Sequence, residues 1–260
     1  MAPGGFLFAA LQRNSDAVAT AYTLPFGGST NGHWVFLPDH SNVKKMYLDI
    51  TMLAADMGVE GIPQDHPESI KFLAKHFETD RIYDIAICDG HVQRNHDLAA
   101  YREHREARRL ITTQLALSLE HLKPFGTMIV LINKVETEQP GILEIVHQFH
   151  KFSSVQLFKP TKGHADRSSF YMVATDIQTD HAEAAKAVEE WKRTWKIATF
   201  GSEDEFSDHI RRSSVWANKI LENFGPVLIE KSRAVWETQI RGLKEAPYME
   251  CAQSQPQKAG

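Results

Sequence analysis

Short apolar runs alternate with amphipathic, helically spaced segments along the first two thirds of the chain. Period-two and continuous apolar runs predict strands over residues 17–24, 43–50, 82–88, 127–132, 155–158 and 170–175. Helical spacing predicts helices near residues 6–11, 67–77, 98–122 and 142–152. The run 82–88 is apolar almost throughout, which indicates a strand buried on both faces of a parallel sheet. This order predicts a doubly wound α/β sheet closed by a terminal hairpin.

After residue 176 the pattern becomes helical throughout. We predict helices over 182–197, 205–223 and 227–243, which carry four of the five tryptophans and form a C-terminal α-helical extension. Trp191 and Trp195, four residues apart, favour a packing seam between helices over a base-stacking platform. The sequence thus divides into 1–176, a helical extension 177–246 and a polar tail 247–260 that we expect to be disordered. A protein partner bound through the extension stays an open alternative.

Composition changes this picture in only a few respects. The 260 residues carry 29 Lys+Arg against 33 Asp+Glu, a formal charge of -4, so an RNA partner would need a local basic patch. Two cysteines, Cys88 and Cys251, exclude a disulfide framework and a cysteine metal site, and favour a reducing, intracellular compartment. The apolar runs are shorter than the roughly 20 residues that span a bilayer, so we expect no membrane partner.

Three features place candidate chemistry where a doubly wound sheet binds its ligands. Gly4-Gly5 precede a helix, and glycines there let the backbone approach a ligand, although a flexible leader is the alternative interpretation. Asp49 lies at the end of one predicted strand and Asp89 directly after another, where a carboxylate binds hydroxyl groups or an amine, or else caps a helix. Lys134 follows a buried strand, and a carboxylate partner such as Asp89 would hold its amine ready for proton abstraction.

Basic residues and histidines suggest further sites, with simpler alternatives for most. Arginines cluster in the helix predicted over 98–122, where we favour a solvated, ion-paired face over a phosphate site; they are Arg102, Arg105, Arg108 and Arg109. The loop containing Lys159, Lys162 and Arg167 is the better RNA candidate. His147 and His150 share a helix face without a third ligand nearby, so we predict no metal.

Taken together, the motifs resemble those of the FtsJ-type RNA 2′-O-methyltransferases. The matching segments are Ala2-Pro3-Gly4-Gly5-Phe6, Tyr83 to Gly90 (YDIAICDG), Leu122 to Thr127 (LKPFGT) followed by Lys134, and Lys159-Pro160 together with Arg167 to Ala174 (RSSFYMVA). The resemblance covers about residues 2–175 and is strongest to divergent fungal members. It implies a Rossmann-like, S-adenosylmethionine-dependent methyltransferase sheet, with RNA as the substrate.

The resemblance also implies roles for individual residues. Pro3, Gly4, Gly5 and Phe6 would contact the methionine part of S-adenosylmethionine, and Asp49 with Ile50 its adenine. Asp89, placed beside the cofactor, would orient Lys134, which would deprotonate the ribose 2′-hydroxyl. Lys159, Lys162, Arg167 and Ser169 would lie on the substrate side.

This sequence departs from the family pattern at three points. Ser169 stands where the family's catalytic tetrad has a glutamate, the tetrad's first lysine would lie upstream of residue 1, and no acidic residue follows the strand 17–24. We therefore keep open methylation of a small molecule or protein, and a catalytically inactive cofactor-binding or scaffold role. The glycine turn also lacks the mid-sheet strand that precedes it in this fold, so we expect the given chain to be N-terminally short.

Overall fold

The computed structural model describes residues 4–26, 32, 34–37, 40–78, 82–93, 96, 98–132, 141–162 and 164–246. Eleven helices and strands follow the predicted alternation. They are α1 Gly5–Arg13, β1 Ala19–Thr23, β2 Val43–Tyr47, β3 Tyr83–Cys88, α2 Glu106–Glu120, β4 Leu122–Ile132, α3 Gly141–His150, β5 Ser154–Phe158, β6 Phe170–Ile177, α4 Ala182–Phe200 and α5 Glu203–Lys244. The predicted disordered tail, 247–260, lies outside the described residues.

The strands form two sheets. Parallel strands β1 and β2 make one, and the order β3-β4-β6-β5 makes the other. Strands β3 and β4 are parallel, whereas β6 runs antiparallel to β4 and β5, which confirms the predicted terminal hairpin. Mixed α/β order with parallel pairs and a helical C-terminal region confirms the expected Rossmann-like class. Whether a further strand precedes the glycine turn stays a prediction.

The residues group into two compact units, each built from several segments of the chain. Unit 1 comprises 1–80, 89–121 and 188–206, and unit 2 comprises 81–88, 122–187 and 207–260. In unit 1 the core includes Leu53, Leu115 and Trp195, none of which is exposed. In unit 2 it includes Met128, Val130 and Phe149, which are equally buried. The domain boundary predicted at residue 176 stays a prediction.

Burial corrects one sequence interpretation and supports another. Strand β3 is not buried on both faces: Ile85 and Ile87 are 54% and 37% exposed, so the described chain does not cover the face they share. Trp191 and Trp195 are 4% and 0% exposed, which fits a packing seam and excludes a stacking platform at these positions.

Several predicted boundaries differ from the structure. The segment 67–77 contains only a 3-10 turn, Ser69–Lys71, and α2 begins eight residues later than predicted because a 3-10 turn at Ala100–Arg102 precedes it. The segment 123–126, read as a helix stop, belongs to β4, where a register shift and a positive φ at Phe125 absorb its proline. None of the described helices is both long and apolar enough to cross a membrane.

The two helices predicted over 205–223 and 227–243 are one helix, α5. Gly225-Pro226 lies in the gap between the two predicted ranges, and a proline inside a helix removes one hydrogen bond and crowds the preceding turn. The structure contains Pro226 inside the helix. Phe224 packs against the rings of His147 and His150 just before it, and Val235 is buried beyond it, so tertiary packing on both sides offsets the lost bond.

Candidate functional site

The glycine turn at the start of α1 has the conformation that glycine alone adopts easily. Gly4 is buried with φ 106° and is the N-cap of α1, and its carbonyl accepts the Phe8 N–H at 2.9 Å. Gly4, having no side chain, makes no side-chain capping bond to this helix. Gly5 is exposed, with open space where a Cβ would stand, and Phe6 is 39% exposed. Such a turn suits a polar or anionic ligand group; Pro3 lies outside the described residues.

Asp49 caps the 3-10 turn that follows β2 and is also ion-paired. Its Oδ1 accepts the Thr51 N–H at 2.9 Å and the Thr51 hydroxyl at 2.7 Å, while Oδ2 lies 2.7 Å from Arg102 Nη2. Burial raises the pKa of the Asp49 carboxyl, but the Arg102 charge and these hydrogen bonds outweigh it and hold the pKa below its ordinary value. The side chain keeps 22% exposure, and Ile50 beside it is half-buried. An adenine contact by Asp49 would thus use its remaining acceptor capacity.

Arg102 is the centre of a buried ionic network. Its guanidinium donates to both carboxylate oxygens of Glu106, at 2.8 and 2.6 Å, and approaches Glu68 at 3.5 Å. Glu106 is shared with Arg109 at 2.7 Å, and the Tyr101 hydroxyl donates to Glu68 at 2.8 Å. Burial lowers the Arg102 pKa less than these carboxylates raise it, and the net shift is upward. The network fixes the end of β2 to the start of α2 inside unit 1.

The predicted solvated arginine face is therefore wrong. Arg102, Arg105, Arg108 and Arg109 are between 0% and 6% exposed. Arg105 donates to the Gly201 carbonyl at 2.8 Å and to Glu203 at 2.6 Å, so α4 and the start of α5 cover this side of α2. All four are buried, and Arg102, Arg105 and Arg109 are paired with protein groups, so these arginines are not a phosphate-binding surface either. The sequence showed the partner Glu106 at helical spacing, but it gave no signal for Asp49 or Glu68, which are distant along the chain.

The loop after β3 holds Asp89 in a defined backbone geometry. The buried side chain of Gln114, on α2, accepts the Gly90 N–H at 2.8 Å and donates to the Gly90 carbonyl at 3.1 Å. A Cβ on Gly90 would lie 2.9 Å from the Gln114 amide oxygen, so a side chain there would displace the Gln114 amide from these bonds. Asp89 is half-buried at the carboxyl end of β3. Sequence reasoning missed Gln114; its only signal was a polar residue within an otherwise buried helix face.

The two ends of the predicted substrate loop are joined by hydrogen bonds from Lys159. Lys159 is 4% exposed, and its ammonium donates to the carbonyls of Arg167 at 2.5 Å and Ser169 at 2.7 Å. Burial lowers the Lys159 pKa, partly offset by Asp166. Lys159 therefore joins the two ends of its own loop, and its predicted role as a surface RNA cation is corrected. Lys162 and Arg167 are exposed, and Ser169 is half-buried.

The structure places most candidate cofactor residues in the same unit. Gly4, Gly5, Phe6, Asp49, Ile50 and Asp89 belong to unit 1, and Lys159, Lys162, Arg167 and Ser169 to unit 2. Lys134 lies outside the described residues. The part of the chain that the structure describes contains no group of three His, Cys, Asp or Glu side chains arranged to hold a metal ion.

The strand order, the glycine turn ahead of α1 and the Asp89-Gly90 loop define a Rossmann-like methyltransferase. The chain belongs to the FtsJ-like methyltransferase family, whose model matches residues 1–177. This match bears out the family resemblance and the prediction of a methyltransferase enzyme. Members of this family generally take the methyl group from S-adenosylmethionine. No curated protein matches the chain significantly.

Proposed function

We propose that this protein transfers a methyl group from S-adenosylmethionine to the 2′-oxygen of an RNA ribose. The observation that supports it most is the fastening of Gly90 by Gln114, which fixes the backbone beside Asp89 at the carboxyl end of a sheet strand, where such folds bind their ligands. A catalytic carboxylate needs this kind of support from its surroundings. The family supports the methyl transfer, and the RNA substrate goes beyond it.

The residues of unit 1 fit the cofactor. Gly4 in its left-handed conformation at the N-terminus of α1 lets the backbone approach the methionine portion, in the segment that begins at Pro3. Asp49 and Ile50 follow β2, where the adenine would lie. S-adenosylmethionine supplies an activated methyl group on a sulfonium, so the protein contributes alignment and removal of a proton.

Asp89 and Lys134 divide the proton chemistry. The Lys134 amine takes the proton of the ribose 2′-hydroxyl as that oxygen forms its bond to the methyl carbon and the carbon–sulfur bond breaks. In this assignment, which follows the family resemblance, Asp89 would orient the lysine for that step. Ser169 cannot supply the carboxylate that the family has at this position, so in this chain the reaction depends on Asp89 and Lys134.

The charge distribution limits where RNA binds. With a formal charge of -4 the chain has no global attraction for a polyanion, so phosphate contacts depend on local cations. Lys162 and Arg167 are exposed on the loop that Lys159 fastens, and they remain the candidates for this contact. A fastened loop presents these two cations with less loss of conformational entropy than an open one.

A methyl-transfer assay with three separated acceptor pools tests the proposal. The protein is incubated with S-adenosylmethionine carrying a labelled methyl group and with total RNA, unlabelled protein extract or a small-metabolite extract. We expect label in RNA, recovered as 2′-O-methylnucleosides, and loss of transfer in Lys134→Ala while calorimetric cofactor binding persists. Asp89→Asn should also lose transfer. Label confined to metabolites or protein would replace the RNA assignment, and undiminished transfer by Lys134→Ala would refute the mechanism.

A further inference from the structure

Helix α5 has two apolar faces, and only one of them is covered. Its buried face packs through residues that are at most 7% exposed: Ala217, Ile220, Phe224, Ser232 and Val235. About 100° around the helix from this buried face, four large apolar side chains form what we call the outer stripe: Ile229, Trp236, Ile240 and Leu243. They are 52%, 46%, 51% and 37% exposed. A contiguous stripe of this kind is unfavourable in water and marks a surface that associates.

The spacing of the outer stripe is that of a coiled-coil seam. Ile229, Trp236 and Leu243 are seven residues apart, and Ile240 follows Trp236 by four. This is the d, d, a, d order of a heptad repeat, in which Arg233 occupies the remaining a position. A second helix would therefore fit along the stripe by ordinary knobs-into-holes packing.

The residues of the outer stripe complement those of a second copy only when the two helices run antiparallel. In an antiparallel pair, a positions face d positions, which sets Ile229 against Ile240 of the second copy and Arg233 over its Trp236. Glu237 of the second copy is then the nearest charge to that guanidinium. Neither Arg233 nor Glu237 makes an ion pair with another described residue. A parallel pair would instead bury Arg233 against Arg233, two like charges in one layer.

We propose that α5 pairs antiparallel with α5 of a second copy of this chain through the outer stripe. The stripe runs about 21 Å along the helix at 1.5 Å per residue. This contact is smaller than that of an obligate dimer, so association depends on protein concentration. Each pair would hold two Arg233–Trp236 stacks, one on either side of the two-fold axis.

Sedimentation velocity over a concentration series tests the pairing. Trp236→Glu should raise the dimer dissociation constant at least about tenfold, since a buried interface tryptophan is a common energetic anchor. Trp216→Glu is the matched control: Trp216 is 52% exposed on the same helix but lies about 140° around it from Ile229, and its loss should leave association unchanged. Circular dichroism checks that both variants keep wild-type helix content.

A charge exchange identifies the partner as a second copy in this orientation. Arg233→Glu should weaken association by placing a carboxylate beside Glu237 of the second copy, and Arg233→Glu combined with Glu237→Arg should restore it. A wild-type chain that stays monomeric at every concentration overturns the proposal. Equal effects of the Trp236 and Trp216 variants, or no recovery in the double exchange, overturn it as well.

Discussion

Replacing Arg102 by methionine should destabilise unit 1 by about 3 kcal/mol. The substitution keeps the length and apolar stem of the side chain and removes its charge. Glu106 retains Arg109, and Glu68 retains Tyr101 and Lys71. Asp49 loses its ion pair and keeps the two hydrogen bonds from Thr51. Removing one partner of a buried ion pair costs about 3–5 kcal/mol. The Asp49 side chain keeps 22% exposure, which places the expected cost at the lower end.

Urea unfolding followed by tryptophan fluorescence measures this cost. Trp195, one of five tryptophans, is fully buried in the same unit and donates to the Thr51 carbonyl at 3.1 Å, so part of the emission comes from the region that Arg102 holds. Arg211→Met is the control, because Arg211 forms an exposed pair with Asp208 three residues away, which is worth at most about 1 kcal/mol. If Arg102→Met is within 1 kcal/mol of Arg211→Met, the network does not stabilise the fold as described.

The pH dependence gives a second check on the same variant. The folded-state pKa values of Asp49 and Glu68 lie below their ordinary values, so the stability they contribute is present above about pH 4 and is lost as the pH falls through the folded pKa. In Arg102→Met the Asp49 carboxyl has lost its cationic partner and takes up a proton more readily. Once it is protonated, the free-energy cost of an unpaired charge disappears. The stability difference between wild type and Arg102→Met should therefore narrow from pH 7 to pH 3, and a constant difference would contradict the ionic origin.

Two further substitutions test the loops on either side of the chemistry. Gln114→Leu removes both hydrogen bonds to Gly90. We expect single-turnover methyl transfer to slow by about tenfold or more, while the calorimetric cofactor affinity stays within about twofold. A parallel loss of methyl transfer and cofactor affinity would instead indicate a general folding defect. Lys159→Met removes the two hydrogen bonds that join the loop ends. Amide hydrogen exchange over 160–169 should become faster while exchange in β4 is unchanged. Unaltered protection of the loop would show that Lys159 does not hold its ends together.

Elements with strong local patterns could be predicted from the sequence. All six strands lie where period-two or continuous apolar runs indicated them, and α1 and α3 fall within a few residues of their predicted bounds. The failures occur where long-range contacts decide the structure. The segment 67–77 has helical spacing, yet Glu68 accepts hydrogen bonds from Tyr101 and Arg102. At the other end of the segment, the Asp56 carboxylate accepts the backbone N–H groups of His76 and Phe77.

The candidate site shows the same contrast between local sequence patterns and long-range contacts. Asp49 and Asp89 were found because carboxylates after strands are visible in a sequence. Gln114 and the buried state of Arg102 were not visible, because each depends on residues at least 24 positions away along the chain, on Gly90 for the one and on Asp49 for the other. An arginine-rich helix is usually solvated, and only the paired carboxylates on other segments make its burial possible.

Calorimetric titration of S-adenosylmethionine tests the central claim most directly. We expect the wild-type chain to bind one equivalent and Gly4→Ala to bind at least about tenfold more weakly, because a side chain strains the φ of 106° in the proposed cofactor turn. Gly58→Ala imposes similar strain at φ 83° outside that turn and should bind like wild type. Absence of binding by the wild-type chain, or equal binding by Gly4→Ala and Gly58→Ala, would contradict the account.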